Sequence, residues 1–156
     1  MRTITDERIL ASLIERLGRL RPDTRGRWGV LTAGELLCHL GDAHESVLGI
    51  RVPPSGSAAP APAKRSPLRK WVALYTAIPW PKGITTRPGV NPRIDGTRPR
   101  DFEGDRERAI SSLKRLAAAP PESLPPRHFL FGPMSAWDWH RWAYRHVTHH
   151  LRQFGL

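Results

Sequence analysis

The C-terminal stretch from Met134 to Leu156 constrains the fold and chemistry of this chain more than any other. It reads MSAWDWHRWAYRHVTHHLRQFGL and contains four of the seven histidines and three of the six tryptophans. Ser135 and Asp138 have the spacing of a capping box, Gly155 is a typical helix stop, and no proline interrupts the run. The sequence therefore predicts one continuous helix here.

Two histidines of this helix are spaced as metal ligands. His146 and His150 are four residues apart, which places both imidazoles on one helix face with roughly 5 to 6 Å between their Cβ atoms. Two neutral imidazoles at this separation can bind one divalent ion, since zinc–nitrogen bonds are about 2.0 to 2.1 Å long. His149 is the alternative second ligand. A helix that buries its tryptophans and exposes its histidines has the same pattern, so a third ligand must decide between the two interpretations.

A second predicted helix offers that third imidazole. It begins at a T-x-x-E capping box formed by Thr32 and Glu35 and runs to about Gly49. Its apolar side is formed by Leu36, Leu40, Ala43 and Val47. His39 lies on the same side, so its imidazole should point inward. Two helices then supply three imidazoles, and three protein ligands with an open fourth position are typical of catalytic zinc sites.

Three neighbours of His39 have different predicted roles. Asp42, one turn further along the helix, is a candidate to orient the imidazole of His39 or to lie at the rim of the pocket. His44 lies about 140° round the helix from His39, so it should not join the same site. Cys38 is offset from His39 by about 100° and should pack in the core as a small hydrophobic residue.

The rest of the chain favours an all-α fold. Apolar residues at helical spacing predict long helices from about Thr5 to Arg21 and from Asp101 to Ala118. A short helix is expected from Leu68 to Ala77, with Trp71, Leu74 and Tyr75 as its apolar side. No segment has the alternation of a strand. We therefore expect a four-helix bundle with a short extra helix.

Two proline-rich loops interrupt this pattern. The segment from Arg51 to Pro67 reads as a flexible surface excursion, and an irregular loop runs from Pro79 to Arg100. The second loop exceeds the usual ~12 to 15 residues, so it is a candidate cover for a pocket. Within it, Thr85, Thr86 and Arg87 are candidates to touch a substrate.

Composition indicates the number of domains and the cellular compartment. With 156 residues, of which 39% are hydrophobic, we expect a single domain over residues 1–156. The lone cysteine excludes an intrachain disulfide and fits a reducing compartment. The sequence has no signal-peptide pattern and no apolar run of the ~20 residues that span a bilayer. These features predict a cytoplasmic protein without a membrane partner.

The net charge of +11 makes nucleic acid a candidate partner. The basic residues are scattered along the chain, however, and no helix-turn-helix, zinc-finger or RNA-binding signature occurs. We therefore expect a partner other than nucleic acid. A basic protein that associates with nucleic acid stays as an alternative function. The charge also suits an anionic small substrate.

Together these residues resemble a known family. An upstream helix with His39 in LLCHLGDA and a C-terminal helix reading HVTHHLRQ are similar to the DinB-like (YfiT-type) superfamily of metal-binding four-helix bundles. The likeness covers essentially the whole chain, and it is closest to a subgroup of unknown function. Three segments carry the likeness to that subgroup: WPKG at Trp80–Gly83, FGPMSAWDW at Phe131–Trp139 and HHLRQFG at His149–Gly155.

The resemblance implies a ligand set and a class of reaction. It makes His39, His146 and His150 the metal ligands and zinc or nickel the metal. Relatives are described as S-transferases that use low-molecular-weight thiols, as maleylpyruvate isomerases or as hydrolases, and they form dimers. We therefore expect a metal-dependent transferase or hydrolase that acts on a small molecule, as a homodimer. A bundle whose metal is only structural is the alternative. The chain departs from the commoner ending HHRGQ by reading HHLRQ.

Overall fold

The computed structural model describes residues 1–52, 66–84 and 86–156. Within these ranges the chain is mostly helical, as the sequence predicts. The predicted flexible excursion from Arg51 to Pro67 falls largely on residues 53–65, which lie outside the described residues, as does Thr85.

Five α-helices follow one another along the described chain: α1 (Glu7–Gly18), α2 (Ala33–Val47), α3 (Pro67–Lys70), α4 (Phe102–Ala117) and α5 (Ala136–Gln153). The short α3 continues as a π-helical turn, Trp71–Tyr75, and single 3-10 turns occur at Pro88–Val90 and Pro121–Ser123. No helix in the described part of the chain is both long and apolar enough to cross a lipid bilayer.

Side-chain caps set the starts of the two helices that carry the candidate ligands. At α2 the Thr32 hydroxyl accepts from the Glu35 amide at 3.2 Å, and the Glu35 carboxylate accepts from the Thr32 amide at 2.8 Å. Ser135 and Asp138 form the same reciprocal pair at α5. Gly155 follows α5 with φ +79°, a conformation that glycine adopts without steric cost. Both predicted capping boxes are confirmed.

The expectation of no strands is wrong for one short segment. Strand β1 (Arg127–His128) pairs antiparallel with β2 (Gly132–Pro133). Two residues a strand are too few for an alternating pattern, so the sequence has no periodic signal for this hairpin. The hairpin places His128 and Phe131 against α5, where the His128 ring lies 5.4 Å from that of Trp139.

Leucines from the long helices form the core, and α2 and α4 share the largest helix–helix contact. The predicted apolar side of the short helix is only partly right. Leu74 is fully buried, whereas Trp71 is 56% exposed. The helix changes from α to π at Trp71, and this change breaks the α-helical spacing on which the prediction depends.

A buried ion-pair cluster joins α2 to α4 and to the loop before α4. The fully buried Asp42 carboxylate accepts from the Thr97 amide at 2.6 Å, the Thr97 hydroxyl at 2.7 Å and the Arg108 guanidinium at 2.6 Å. Arg108 also pairs with Glu45 at 2.5 Å. Asp42 is therefore bound by the loop and by α4, and its hydrogen bonds in the described structure do not include His39.

We expect Asp42→Asn to lower the free energy of unfolding by about 3 kcal/mol, because it removes one partner of a buried ion pair. Urea denaturation followed by circular dichroism measures this change. Glu103→Gln is the control, since Glu103 pairs with Arg106 on the solvent side of α4 and its loss should cost less than about 0.5 kcal/mol. Equal losses in the two variants would contradict the structural role of Asp42.

Candidate metal centre

The structure brings together three histidines that the sequence singles out. His39 of α2 and His146 and His150 of α5 each offer one ring nitrogen, and these nitrogens lie within 4.8 Å of one another. All three side chains are buried. The capping boxes of α2 and α5 fix where each helix begins, so the two helices present their imidazoles to the same point.

The spacing of the nitrogens suits a metal ion. The Nε2 atoms of His39 and His146 are 3.1 Å apart. Two nitrogens bound to one zinc ion at about 2.0 to 2.1 Å in a tetrahedral arrangement are about 3.3 to 3.4 Å apart. Two imidazole lone pairs that face each other at such a distance repel unless a proton or a cation lies between them. The donor set is all imidazole, which suits zinc, nickel and copper better than magnesium or calcium.

The far side of His39 fixes which ring nitrogen faces the cluster. Its Nδ1 lies 2.8 Å from the carbonyl oxygen of Val90, in the 3-10 turn of the loop before α4. A carbonyl oxygen only accepts, so Nδ1 carries the proton and donates to it. Nε2 therefore keeps its lone pair toward His146, as a metal ligand requires.

Gln153 has the same role for His150. The Gln153 side chain donates from its amide nitrogen to the carbonyl of Trp28 at 2.8 Å, so its amide oxygen faces His150. The Nδ1 atom of His150 lies 2.9 Å from that oxygen and donates to it, and Nε2 is left free. Gln153 follows His150 by three residues on α5, but its contact with Trp28 depends on a loop whose path no sequence pattern reveals.

Stacking rather than a hydrogen bond positions His146. Its ring lies 4.8 Å from that of Trp142, with an interplanar angle of 19°. The Nδ1 atom of His146 is buried and has no hydrogen-bond partner among the described residues. Trp142, one turn earlier on α5, therefore limits the rotation of the ring that shares the cluster with His39.

All three imidazoles are held in the neutral form that binds metals. Burial lowers the pKa of His39 below its ordinary value, and it lowers the pKa values of His146 and His150 well below theirs. The neighbouring imidazoles of the cluster lower the pKa values of His146 and His150 further, because each charged ring would repel the next. Metal binding therefore does not have to compete with protons near neutral pH.

The other histidines of the two helices lie outside this cluster. His149 is half-buried, and its ring lies 5.9 Å from Trp80 and 6.2 Å from Trp28. His44 is fully buried, and its Nδ1 lies 3.2 Å from the Ser112 hydroxyl. His140 is also buried. The structure thus groups His150, and not His149, with His39 and His146.

A cavity of about 590 Å³ opens beside the three histidines, and we call it the metal-site cavity. Most of its remaining wall is apolar or aromatic: Ala43, Val47, Trp80, Ile84, Phe129, Phe131, Trp139 and Trp142. Thr86 and Arg87 of the second proline-rich loop also line it, with the Arg87 guanidinium 5.1 Å from the centre of the Phe129 ring. None of the described residues in the wall is an Asp or a Glu.

The lone cysteine does not serve this cavity. Cys38 is buried, as the sequence predicts, and it is not part of the cavity wall. Burial raises the pKa of its thiol to about 12, so a thiolate does not form there near neutral pH.

Comparison of the chain with protein-family models, with curated proteins and with solved structures found no match. The functional argument therefore depends on the three imidazoles, their hydrogen-bond partners and the cavity beside them.

We expect Gln153→Ala to weaken divalent-metal binding by about 10- to 100-fold, because His150 loses the acceptor that orients its ring. Competition with a chromogenic chelator measures the affinity, and circular dichroism checks that the helices are retained. Gln153→Glu is the matched control, since it keeps an oxygen that can accept from Nδ1, and it should bind metal more tightly than Gln153→Ala. Unchanged affinity in Gln153→Ala would refute the orienting role.

Proposed function

We propose that this chain is a divalent-metal-dependent enzyme that acts on a small molecule, with His39, His146 and His150 as the metal ligands. One observation carries the proposal: three buried, neutral imidazoles converge at the wall of a cavity large enough for a substrate. Structural zinc sites have four protein ligands, whereas catalytic ones have three and an open position. No fourth His, Cys, Asp or Glu joins this group among the described residues.

Of the metals that an all-imidazole donor set suits, we propose zinc or nickel, which the resemblance to the DinB-like superfamily implies. A divalent ion held by three neutral imidazoles keeps its double positive charge and lowers the pKa of a thiol or water that it binds. The chain's own residues supply orientation and a dry wall. Val90 and Gln153 hold two of the imidazoles, and the aromatic residues of the metal-site cavity exclude water from a bound substrate.

Among the described residues of the cavity wall there is no cysteine, aspartate or glutamate, which favours a reaction that brings its own nucleophile. Cys38 does not line the cavity, and its thiol pKa is about 12. The Ser46 hydroxyl lines the cavity but donates to the Asp42 carbonyl at 2.7 Å. The nucleophile is therefore an external thiol or water. Transfer of a low-molecular-weight thiol to an electrophile, or hydrolysis, are the two reactions that meet this condition.

We also propose that the fold is a DinB-like four-helix bundle formed by α1, α2, α4 and α5, with α3 as the short extra helix. The order of elements supports this, since α2 carries one of the three grouped histidines, His39, and α5 carries the HxxxH pair. The proposal includes a single domain over residues 1–156 and a homodimer.

Protein purified without a nickel column should contain about one divalent ion per chain by elemental analysis, and His146→Ala/His150→Ala should contain none. Metal-loaded protein should accelerate either the reaction of cysteine or glutathione with chlorodinitrobenzene or the hydrolysis of p-nitrophenyl acetate. The double variant should run at the background rate, because the ion that activates the thiol or water is lost.

His149→Ala is the matched control, because His149 is the neighbouring imidazole outside the cluster and should leave the metal content unchanged. Unchanged metal in the double variant would refute the ligand assignment. Metal that is bound by the three histidines, gives no turnover with either reactant class and unfolds the protein on removal would identify a structural site instead.

A further inference from the structure

Helix α5 carries a second row of functional side chains, beside the histidines. Arg141, Arg145, Thr148 and Arg152 have the spacing i, i+4, i+7 and i+11, so they lie along one helix face. This row lies about 150° round the helix from the metal ligands. With Arg2 and Lys82 it lines a separate cavity of about 290 Å³, which we call the arginine cavity.

The charge of the arginine cavity is uncompensated. Five basic side chains line it, and none of the described residues in its wall is an Asp or a Glu. Burial lowers the pKa of Arg145, and the nearby charges of Arg141 and Arg152 lower it further. The positive charges thus repel one another within a concave wall. A concave surface of one sign concentrates ions of the opposite sign.

Two of these guanidinium groups are held in fixed positions. Arg141 donates to the carbonyls of Leu74 and Arg2, both at 2.6 Å, and it is 5% exposed. Arg145 donates to the carbonyls of Ala73 and Ile78 and is also buried. In each group these hydrogen bonds use two of the three nitrogens, and among the described residues the third nitrogen has no hydrogen-bond partner. The Arg141 guanidinium also lies 5.1 Å from the centre of the Tyr144 ring. Donors that are already ordered bind an anion with little further loss of side-chain entropy.

The other three basic groups at this cavity are exposed. Arg2 lies at the N-terminus with its guanidinium 3.5 Å from the Tyr144 hydroxyl. Arg152 is on the last turn of α5, and the Lys82 ammonium lies 4.8 Å from the centre of the Trp28 ring. Trp28 and Trp80 both line the cavity. The cavity therefore combines fixed guanidinium groups, exposed cations and indole rings.

We propose that the arginine cavity binds the phosphate group of a small phosphomonoester. A phosphomonoester carries about −1.5 to −2 charges near pH 7 and has three acceptor oxygens, so it can use several of these cations at once. Arginine is well suited to phosphate, because its planar donors match phosphate oxygens in pairs. The enclosed volume fits a phosphate with a small attached group rather than a nucleic-acid duplex. The site is separate from the metal-site cavity, although Trp80 and His149 line both.

Isothermal titration of chelator-treated protein with phenyl phosphate at low ionic strength tests this proposal. We expect wild-type protein to bind, and Lys82→Gln/Arg152→Gln to bind at least about tenfold more weakly, because two charged partners of the phosphate are lost. Lys114→Gln/Arg115→Gln is the matched control, since it removes the same charge from the exposed end of α4. Its affinity should stay within about twofold of wild type.

Further measurements distinguish phosphate binding in the arginine cavity from non-specific attraction of anions and from binding at the metal site. Benzoate, a monoanion with the same ring, should bind more weakly than phenyl phosphate. His146→Ala/His150→Ala should bind phenyl phosphate as wild type does, so that loss of the metal site leaves this result unaffected. No binding by wild type, or an equal loss in the two charge variants, would overturn the proposal. A single-stranded oligonucleotide that binds more tightly than phenyl phosphate, and loses affinity only in Lys82→Gln/Arg152→Gln, would identify a nucleic-acid site instead.

Discussion

The candidate metal centre depends on hydrogen bonds made on the far side of the imidazoles. A buried polar group is costly when it has no partner, and a buried imidazole has two nitrogens to satisfy. The Val90 carbonyl accepts a hydrogen bond from Nδ1 of His39, and the Gln153 amide oxygen accepts one from Nδ1 of His150. Each of these bonds also directs the remaining lone pair to the shared point. The same contacts thus stabilise the buried rings and set the donor atoms of the site.

Different faces of helix α5 make different contacts. One face packs Val147 and Leu151 in the core, and the next presents His146 and His150 to α2. A third face carries the row of arginines that begins at Arg141. The guanidinium groups of Arg141 and Arg145 donate to carbonyls of the π-helical turn after α3 and of the N-terminal segment. These bonds support the walls of both cavities, because Trp80 follows the same turn and lines each of them.

Local patterns in the sequence predicted the features that depend on neighbouring residues. The capping boxes, the long helices and the grouping of three histidines follow from spacing, because each concerns residues on one or two periodic helices. The roles of Val90 and Gln153 could not be predicted, since their contacts depend on the path of irregular loops. Thr86 and Arg87, which the sequence offers as candidates to touch a substrate, do line the metal-site cavity. The arginine row has a periodic signal within α5, at Arg141, Arg145 and Arg152, which the scatter of basic residues over the whole chain obscures.

The buried cluster around Asp42 connects the stability of the fold to the geometry of the site. The expectation that Asp42 orients His39 directly is not met, because Asp42 binds Thr97 and Arg108. Thr97 lies in the same loop as Val90, and Arg51 holds that loop through the carbonyls of Gly89 at 3.2 Å and Asp95 at 2.9 Å. The Val90 carbonyl is therefore fixed by the contacts that Asp42 and Arg51 make with its loop. Asp42 acts on His39 through this loop, so a change at Asp42 that loosens the loop also releases the acceptor that sets the His39 tautomer.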